Sequence, residues 1–139
     1  MRPILAAVAI AALAAAGCKK AERGPYNPQP PETRAGGLVV QVLRAGDADG
    51  KVPKKGDKIW VNYKGTLADG AVFDQGKHFG FYLGENNVIP CWDQGVAGMK
   101  EGEARKLTCP PALAYGDEKH EKIPPKSTLT FEIELDEVR

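Results

Sequence analysis

The 139-residue sequence carries almost no excess of charge, because 19 lysines and arginines oppose 18 aspartates and glutamates. It therefore lacks the basic surface that a general nucleic-acid-binding protein needs, and we predict no nucleic-acid partner. Only two histidines occur, and no HExxH, CxxC or phosphate-binding glycine motif is present, so we predict neither a metal site nor a cofactor. The three cysteines are an odd number, which leaves at least one without an intrachain disulfide partner.

Long apolar segments are also missing, since the uncharged run near the N-terminus covers only residues 3–16. As a helix this run would be about 21 Å long, whereas the hydrocarbon core of a bilayer is about 30 Å thick. The run follows Arg2 and ends in small residues, so it predicts a signal peptide over residues 1–17. Its last residues and the next one, Ala15-Ala16-Gly17-Cys18, resemble the bacterial lipobox.

The lipobox resemblance implies that the Cys18 thiol receives diacylglycerol and that the chain is cut before it, with acylation of the new amine. The protein would then be held on a membrane through this lipid and face the periplasm. Lys19 after the cysteine is consistent with sorting to the outer membrane. The alternative is an ordinary signal peptide followed by an incidental cysteine. Either reading places the chain in an oxidising compartment, which permits disulfides.

Residues 18–36 differ in composition from the rest of the mature chain. They contain four closely spaced prolines among polar residues, which are Pro25, Pro28, Pro30 and Pro31. Such a stretch favours extended conformations and cannot build a core, so it predicts a tether leading to a domain over residues 37–139. The alternative is an N-terminal arm packed weakly on the domain, with Tyr26 as its only large apolar residue.

The domain itself reads as a sheet with a single helix. Sixteen glycines and 11 prolines favour short strands and turns over a helical bundle. Trp92, Val96 and Met99 follow the helical spacing i, i+4, i+7 behind Pro90, a residue suited to a helix start. We therefore predict the α+β class, with one short helix across one face of an antiparallel sheet of about five strands. Alternation and β-branched content place those strands at residues 37–43, 58–67, 79–83, 103–109 and 128–138.

Two runs of residues carry a specific resemblance: VNYKGTLADGAVFD at 61–74 and VIPCWDQGVAGM at 88–99. Ala114-Tyr115-Gly116, Ile123-Pro124-Pro125 and residues 128–135 follow in the same order. Together they resemble FKBP-type peptidyl-prolyl isomerases over about residues 37–139. The resemblance implies an antiparallel half-barrel sheet wrapped around one short helix, in agreement with the pattern of strands and helix.

Nine of the ten aromatic residues lie between Trp60 and Phe131, where rings can form a plain core or line a pocket. The resemblance implies a pocket. In it, Asp74, Tyr115 and Tyr63 take the catalytic roles, with Asp74 beside Tyr63 and the Tyr115 hydroxyl donating to a substrate carbonyl. The remaining implied substrate contacts are the floor Trp92, the walls Phe73 and Phe131, the rim Phe79, the backbone at Val88 and Ile89, and His120 on a flap.

The resemblance further implies catalysis of rotation about X–Pro amide bonds, in which no bond is broken and no nucleophile, metal or redox group is needed. The expected partners are proline-containing polypeptides that are folding outside the cytoplasm, together with macrolide inhibitors. The alternative is a noncatalytic proline-peptide binding module or chaperone using the same pocket. No added dimerisation segment is evident, so we expect a monomer.

Two cysteines remain once Cys18 is assigned to the lipid. Cys91 stands before Trp92, where the family commonly has glycine, and Cys109 follows Leu107 at strand spacing beneath the predicted helix start. In an oxidising compartment, cysteines on neighbouring elements are expected partners. We predict a Cys91–Cys109 disulfide, and the alternative is a pair of buried free thiols.

Overall fold

The structure, a computed structural model, describes residues 23–139. The predicted signal peptide and the proposed lipid site at Cys18 lie outside these residues. Within residues 23–139, no helix has both the length and the apolar character required to cross a bilayer.

The fold is an open antiparallel sheet with one α-helix, as the sequence predicts. The sheet has six strands rather than about five, and their spatial order is β1-β2-β5-β6-β3-β4. The additional strand is the two-residue β1, which pairs with β2 through residues predicted as tether. The strands are β1 (Glu32–Thr33), β2 (Val39–Arg44), β3 (Lys58–Thr66), β4 (Val72–Tyr82), β5 (Ala104–Cys109) and β6 (Leu129–Val138).

Alternation of side chains along the strands divides the sheet into an inner and an outer face. On β6, Leu129, Phe131, Ile133 and Leu135 are all at most 3% exposed, and they face the core. Glu132, Glu134 and Asp136 lie between or after them and are more exposed. Burial of each large apolar side chain contributes roughly 1.5–3 kcal/mol to the free energy of unfolding, so this one-sided pattern fixes which face of the sheet is covered.

The helix α1 (Pro90–Val96) covers the inner face. It begins after Ile89, whose backbone is extended, and Pro90 occupies the first helical position, where the missing N–H costs no hydrogen bond. Gly95 brings the helix close to β5, because a Cβ at this position would lie 2.6 Å from a methyl group of Leu107. The helix therefore packs against β5 at a distance that only glycine permits.

Both ends of α1 are attached to β5, through Arg105 at one end and Cys109 at the other. At the C-terminal end, the Arg105 guanidinium donates from Nη1 to the carbonyls of Gly95 and Ala97, at 2.9 and 3.0 Å. Arg105 is 7% exposed and is paired with Glu103 at 2.6 Å, so its charge is compensated inside the fold. At the N-terminal end, Cys91 is joined to Cys109 by a disulfide with a Cα–Cα distance of 5.8 Å.

The segment predicted as a tether is packed against the sheet from its first described residue. We call residues 23–31 the arm. The backbone amides of Asn27 and Gln29 donate to carbonyls of Leu43 and Val42, so the arm lies along the outer edge of β2. Pro28 and Pro30 occupy the alternate positions, where strand pairing requires no N–H. The composition that indicates a loose tether is thus equally compatible with an edge segment, and this is the packed arrangement that the sequence left as the alternative.

We expect the disulfide to contribute about 3 kcal/mol to the free energy of unfolding, because it closes a loop of 18 residues in the unfolded chain. The double variant Cys91→Ala/Cys109→Ala should lose this amount in urea denaturation, whereas Cys18→Ala is the control and should not change stability. Alkylation of the denatured, unreduced protein should leave Cys91 and Cys109 unmodified. Adducts on both of these cysteines would contradict the disulfide.

Candidate functional site

A cavity of about 220 Å³ opens between the N-terminus of α1 and the inner face of β3, β4 and β6. Nine of the ten predicted site residues line it, and the tenth, His120, lies beside it. One lining residue, Asn87, is not among those predicted. The lining consists of Tyr63, Phe73, Asp74, Phe79, Asn87, Val88, Ile89, Trp92, Tyr115 and Phe131.

Trp92 forms the centre of the aromatic lining and is 5% exposed. Its ring lies 5.0 Å from Tyr63 and 5.3 Å from Phe131, with interplanar angles of 71° and 89°. Such edge-to-face contacts are preferred by aromatic rings and hold the indole in one orientation. The indole Nε1 is shielded from solvent and has no hydrogen-bond partner within residues 23–139. The accessible part of Trp92 is therefore apolar.

One wall of the cavity depends on a glycine in β3. Phe73 and Phe131 meet edge to face with ring centroids 5.6 Å apart. Both rings lie over Gly65, where a Cβ would come within 2.6 Å of Phe73 and 2.8 Å of Phe131. Any larger residue at Gly65 would displace the two rings from each other and from the pocket.

Tyr63 and Asp74 form the polar side of the cavity. The Tyr63 hydroxyl donates to Asp74 Oδ2 at 2.9 Å. Burial of the phenol, followed by the hydrogen bond to the negatively charged Asp74, raises the pKa of Tyr63 to about 12. The hydroxyl therefore remains a neutral donor, held by Asp74, throughout the physiological pH range.

A bulge in β4 brings Phe79 to the rim. Pairing with β3 shifts between Gly76 and Phe79, and His78 takes a positive φ of 51°. Asn62 stabilises this turn of the backbone, because its Oδ1 accepts the His78 amide at 2.8 Å. Phe79 then meets Tyr63 edge to face at 6.0 Å. The sequence predicted only a short strand here, because the bulge interrupts the alternation of side chains along β4.

Two hydrogen-bond donors at the cavity are left without partners among residues 23–139. They are the backbone amide of Ile89, which precedes α1, and the hydroxyl of Tyr115. Burial raises the pKa of Tyr115, and the negative charges of Asp74 and Glu121 raise it further, so its hydroxyl stays protonated. Both groups can donate a hydrogen bond to a carbonyl oxygen of a bound peptide.

His120 contributes through Tyr115 and not as part of the cavity lining. The two rings are stacked, with centroids 4.2 Å apart and an interplanar angle of 6°. The backbone of His120 pairs with Ile123, which is 4% exposed and anchors the flap. A second cavity of about 290 Å³ adjoins the first, and its lining is Phe73, Asp74, Tyr115, His120, Glu121, Lys122 and Ile123.

Asn87 was missed because its role depends on the loop before α1. Its Oδ1 accepts the Tyr82 amide at 3.0 Å, which connects the end of β4 to the loop. Asp93 accepts the amides of Gly84 and Asn86 at 2.8 and 3.3 Å, so the same loop is also fastened to the helix. Asn86 with a φ of 60° is the residue type that tolerates this conformation, and an Asn-Asn pair before Val88 is the only local signal for such a loop.

The arrangement is that of a peptide-binding site for a compact apolar group. Aromatic faces surround the cavity, two free donors lie at it, and one carboxylate is committed to orienting a neutral phenol. Residues 23–139 contain no cluster of three or more histidine, cysteine or acidic side chains placed to hold a metal ion.

Comparison with known proteins defines the family. The family model for FKBP-type peptidyl-prolyl cis-trans isomerases matches residues 50–136. The chain is 46% identical over 112 residues to the FKBP-type peptidyl-prolyl cis-trans isomerase FkpA of Escherichia coli K12, and 78% of the chain is covered. The crystal structure of E. coli FkpA superimposes with a TM-score of 0.71 at 45% identity, covering 78% of this chain and 51% of that one. The chain belongs to the FKBP family.

Two further relatives show how much of each protein is shared. The chain is 47% identical over 104 residues to the peptidyl-prolyl cis-trans isomerase Fkbp12 of Drosophila melanogaster, covering 70% of this chain and 96% of that protein. It is 48% identical over 106 residues to FK506-binding protein 4 of Mycosarcoma maydis, covering 74% of this chain. The chain spans 28% of the length of that fungal protein and 40% of the length of FkpA.

We expect the phenol of Tyr63 to titrate near pH 12 in the folded protein, against 10.0 for an unperturbed tyrosine. Asp74→Asn should lower this value, because the neutral amide no longer favours the protonated phenol. Ultraviolet difference spectra can be assigned by subtraction of Tyr63→Phe, with Tyr82→Phe as the control for an exposed tyrosine. Between pH 10 and 12 the folded protein keeps this proton whereas the unfolded chain loses it. The contribution of Tyr63 to the free energy of unfolding should therefore be constant below pH 10 and should fall between pH 10 and 12. A Tyr63 that titrates at 10 would contradict the bond to Asp74.

Proposed function

We propose that the protein is a peptidyl-prolyl cis-trans isomerase that accelerates rotation about X–Pro bonds in polypeptides as they fold. The observation that carries this proposal is the cavity beside α1, in which Trp92 is enclosed by aromatic rings while Ile89 N–H and the Tyr115 hydroxyl are free to bind peptide carbonyls. A pyrrolidine ring is a compact apolar group of the size that such a cavity accepts. Family membership supports the same activity.

The chemistry requires only that the cavity bind the twisted amide better than either planar form. Rotation about an X–Pro bond has a barrier of roughly 18–20 kcal/mol, because resonance gives the C–N bond partial double-bond character. The twisted amide loses that resonance and its charge separation. An apolar cavity lined by Trp92, Phe73 and Phe131 therefore favours the twisted form over the more polar planar amide, and each 1.36 kcal/mol of this preference gives about tenfold in rate.

The polar groups hold the peptide around the rotating bond. Ile89 N–H and the Tyr115 hydroxyl bind carbonyls on either side of the proline, which fixes the flanking chain while the amide turns. Asp74 keeps the Tyr63 hydroxyl directed toward itself, so the aromatic ring of Tyr63 remains against Trp92. His120 acts as a positioning residue, because its stacked ring limits the motion of Tyr115.

We expect Tyr115→Phe to lower kcat/KM by about tenfold, the effect of losing one hydrogen bond to the peptide in the transition state. Asp74→Leu should lower it by a similar factor, because the Tyr63 ring is no longer held against Trp92. A protease-coupled assay on Ala-X-Pro-Phe peptides measures this, and Tyr82→Phe is the matched control because Tyr82 is exposed outside the cavity. A chain that binds these peptides but leaves their isomerisation at the background rate for every X would be a noncatalytic binding module or chaperone instead. Macrolide inhibitors are further expected ligands of the same cavity.

The same proposal extends to where the enzyme acts. The lipobox-like sequence ending at Cys18 supports a palmitate-bearing lipoprotein, anchored in the envelope and facing the periplasm, with Lys19 favouring the outer membrane. Two or three acyl chains hold a protein on a membrane far more firmly than one. The lining of the cavity comes from residues of one chain, and we propose that the protein acts as a monomer.

Cys18→Ser should release the protein from the membrane fraction to the soluble fraction and should abolish incorporation of labelled palmitate. Cys91→Ser/Cys109→Ser is the control, since it removes two thiols without altering the lipid site. Membrane association that survives Cys18→Ser would show that the segment before Cys18 stays attached as an anchor.

A further inference from the structure

The arm is attached to the domain by more than one kind of interaction. The Arg23 guanidinium lies 3.1 Å from Asp136 Oδ1 and 3.3 Å from Asp47 Oδ2, and its side chain is only 14% exposed. Partly buried pairs of this kind are screened by salt less than exposed ones. Arg44 strengthens the same site, because it is paired with Glu134 and its guanidinium lies over the Tyr26 ring at 5.6 Å.

Backbone hydrogen bonds continue this attachment toward β1. The Gln29 amide donates to the Val42 carbonyl at 2.8 Å, and the Gln41 side chain donates to the Gln29 carbonyl at 2.9 Å. After the arm, β1 pairs with β2, and Arg34 donates to the Gln94 carbonyl of α1 at 3.0 Å. The chain is therefore fastened to the domain continuously from Arg23 onward, and only residues 19–22 separate Arg23 from Cys18.

The arm reaches the domain on the face of the sheet opposite the cavity. On β6, Phe131 lies at the cavity on the inner face, whereas Asp136 binds Arg23 on the outer face. Phe79 at the rim of the cavity and Leu135 beside Asp136 both pair with Val61, so the sheet itself separates Arg23 from the cavity. The chain therefore leaves toward Cys18 from the outer face, whereas the cavity lies on the inner face.

We propose that attachment of the arm leaves only a short flexible connection between the lipid and the domain. This short connection holds the outer face near Arg23 toward the bilayer and directs the cavity away from it. This inference rests on the proposed lipid at Cys18. Five residue steps from Cys18 to Arg23 span at most about 18 Å, whereas a free tether up to residue 36 would span about 60 Å. The partner of this face is the surface of the membrane that carries the lipid, and the cavity is left open to polypeptides in the aqueous space.

The orientation can be measured without relying on lipidation in the cell. The chain from Cys18 to Arg139 contains every described residue, and its Cys18 thiol can be coupled to maleimide-bearing lipids in neutral phosphatidylcholine vesicles. Energy transfer from tryptophan to a dansyl headgroup then reports proximity to the bilayer. Trp60 lies on the side of Arg23, since His78 stacks on it at 5.7 Å and lies 3.3 Å from Asp136, whereas Trp92 is in the cavity.

We expect transfer from Trp60, measured in Trp92→Phe, to exceed transfer from Trp92, measured in Trp60→Phe, by at least about twofold, because the two rings lie on opposite faces of the sheet. The chain with both tryptophans gives an intermediate value and serves as a third measurement if one variant is unstable. Equal transfer from the two rings would overturn the proposal.

Detaching the arm from the domain should remove the difference in energy transfer between Trp60 and Trp92. Arg23→Gln breaks the ion pairs, and Asn27→Pro/Gln29→Pro removes the two amide donors without changing charge; each should bring the two transfer values together. Arg34→Gln is the matched control, because it removes the same charge beyond the arm and should leave the difference intact. An unchanged difference in energy transfer between Trp60 and Trp92 in both release variants would contradict the proposed short connection. With both tryptophans present, peptide isomerisation should be unaffected in Arg23→Gln, Asn27→Pro/Gln29→Pro and Arg34→Gln, so failure of this proposal and failure of the proposed activity are distinguishable.

Discussion

The position of one seven-residue helix determines the site, and this helix cannot hold that position by itself. Isolated helices shorter than about 12–15 residues are marginal in water, so α1 depends on its attachments to β5. A covalent bond at Cys91 and the Arg105 guanidinium at the other end supply these attachments, with the close contact at Gly95 between them. Trp92 directly follows the disulfide, and Ile89 directly precedes the helix. The floor of the cavity and one of its two free donors are therefore placed by the same constraint.

The sequence predicts best those strands in which apolar and polar residues alternate in step with buried and exposed positions. β6 alternates from Leu129 to Leu135, and its inner residues are buried as predicted. β4 was recognised only in part, because the bulge at His78 depends on the Asn62 side chain from another strand. The arm could not be distinguished from a tether by composition, since proline suits both an extended linker and the unpaired positions of an edge segment. In each case the missing information was a contact between residues distant in sequence.

The cavity likewise contains residues that the sequence indicates and one that it does not. Nine of the residues that the resemblance implies as site residues line one cavity, and the motifs that carry them span most of the domain. His120, which the resemblance places on a flap, stacks on Tyr115 and lines the adjoining cavity. Asn87 had no motif to indicate it, because its contact with Tyr82 is a property of how one loop closes. What the fold leaves unpaired is as informative as what it pairs, since the Ile89 amide and the Tyr115 hydroxyl have no partner among residues 23–139.

The prolines of the arm have a further consequence for the exposed edge of the sheet. Unfolded chains, the substrates proposed above, pair readily with any exposed strand edge, and free backbone groups along β2 would allow them to add as a new strand. The arm occupies that edge, and Pro28 and Pro30 leave its own outer side without a regular series of donors. At the opposite edge, the bulge beside His78 breaks the regularity of β4. Both edges of the sheet therefore offer another chain little opportunity to add as a strand.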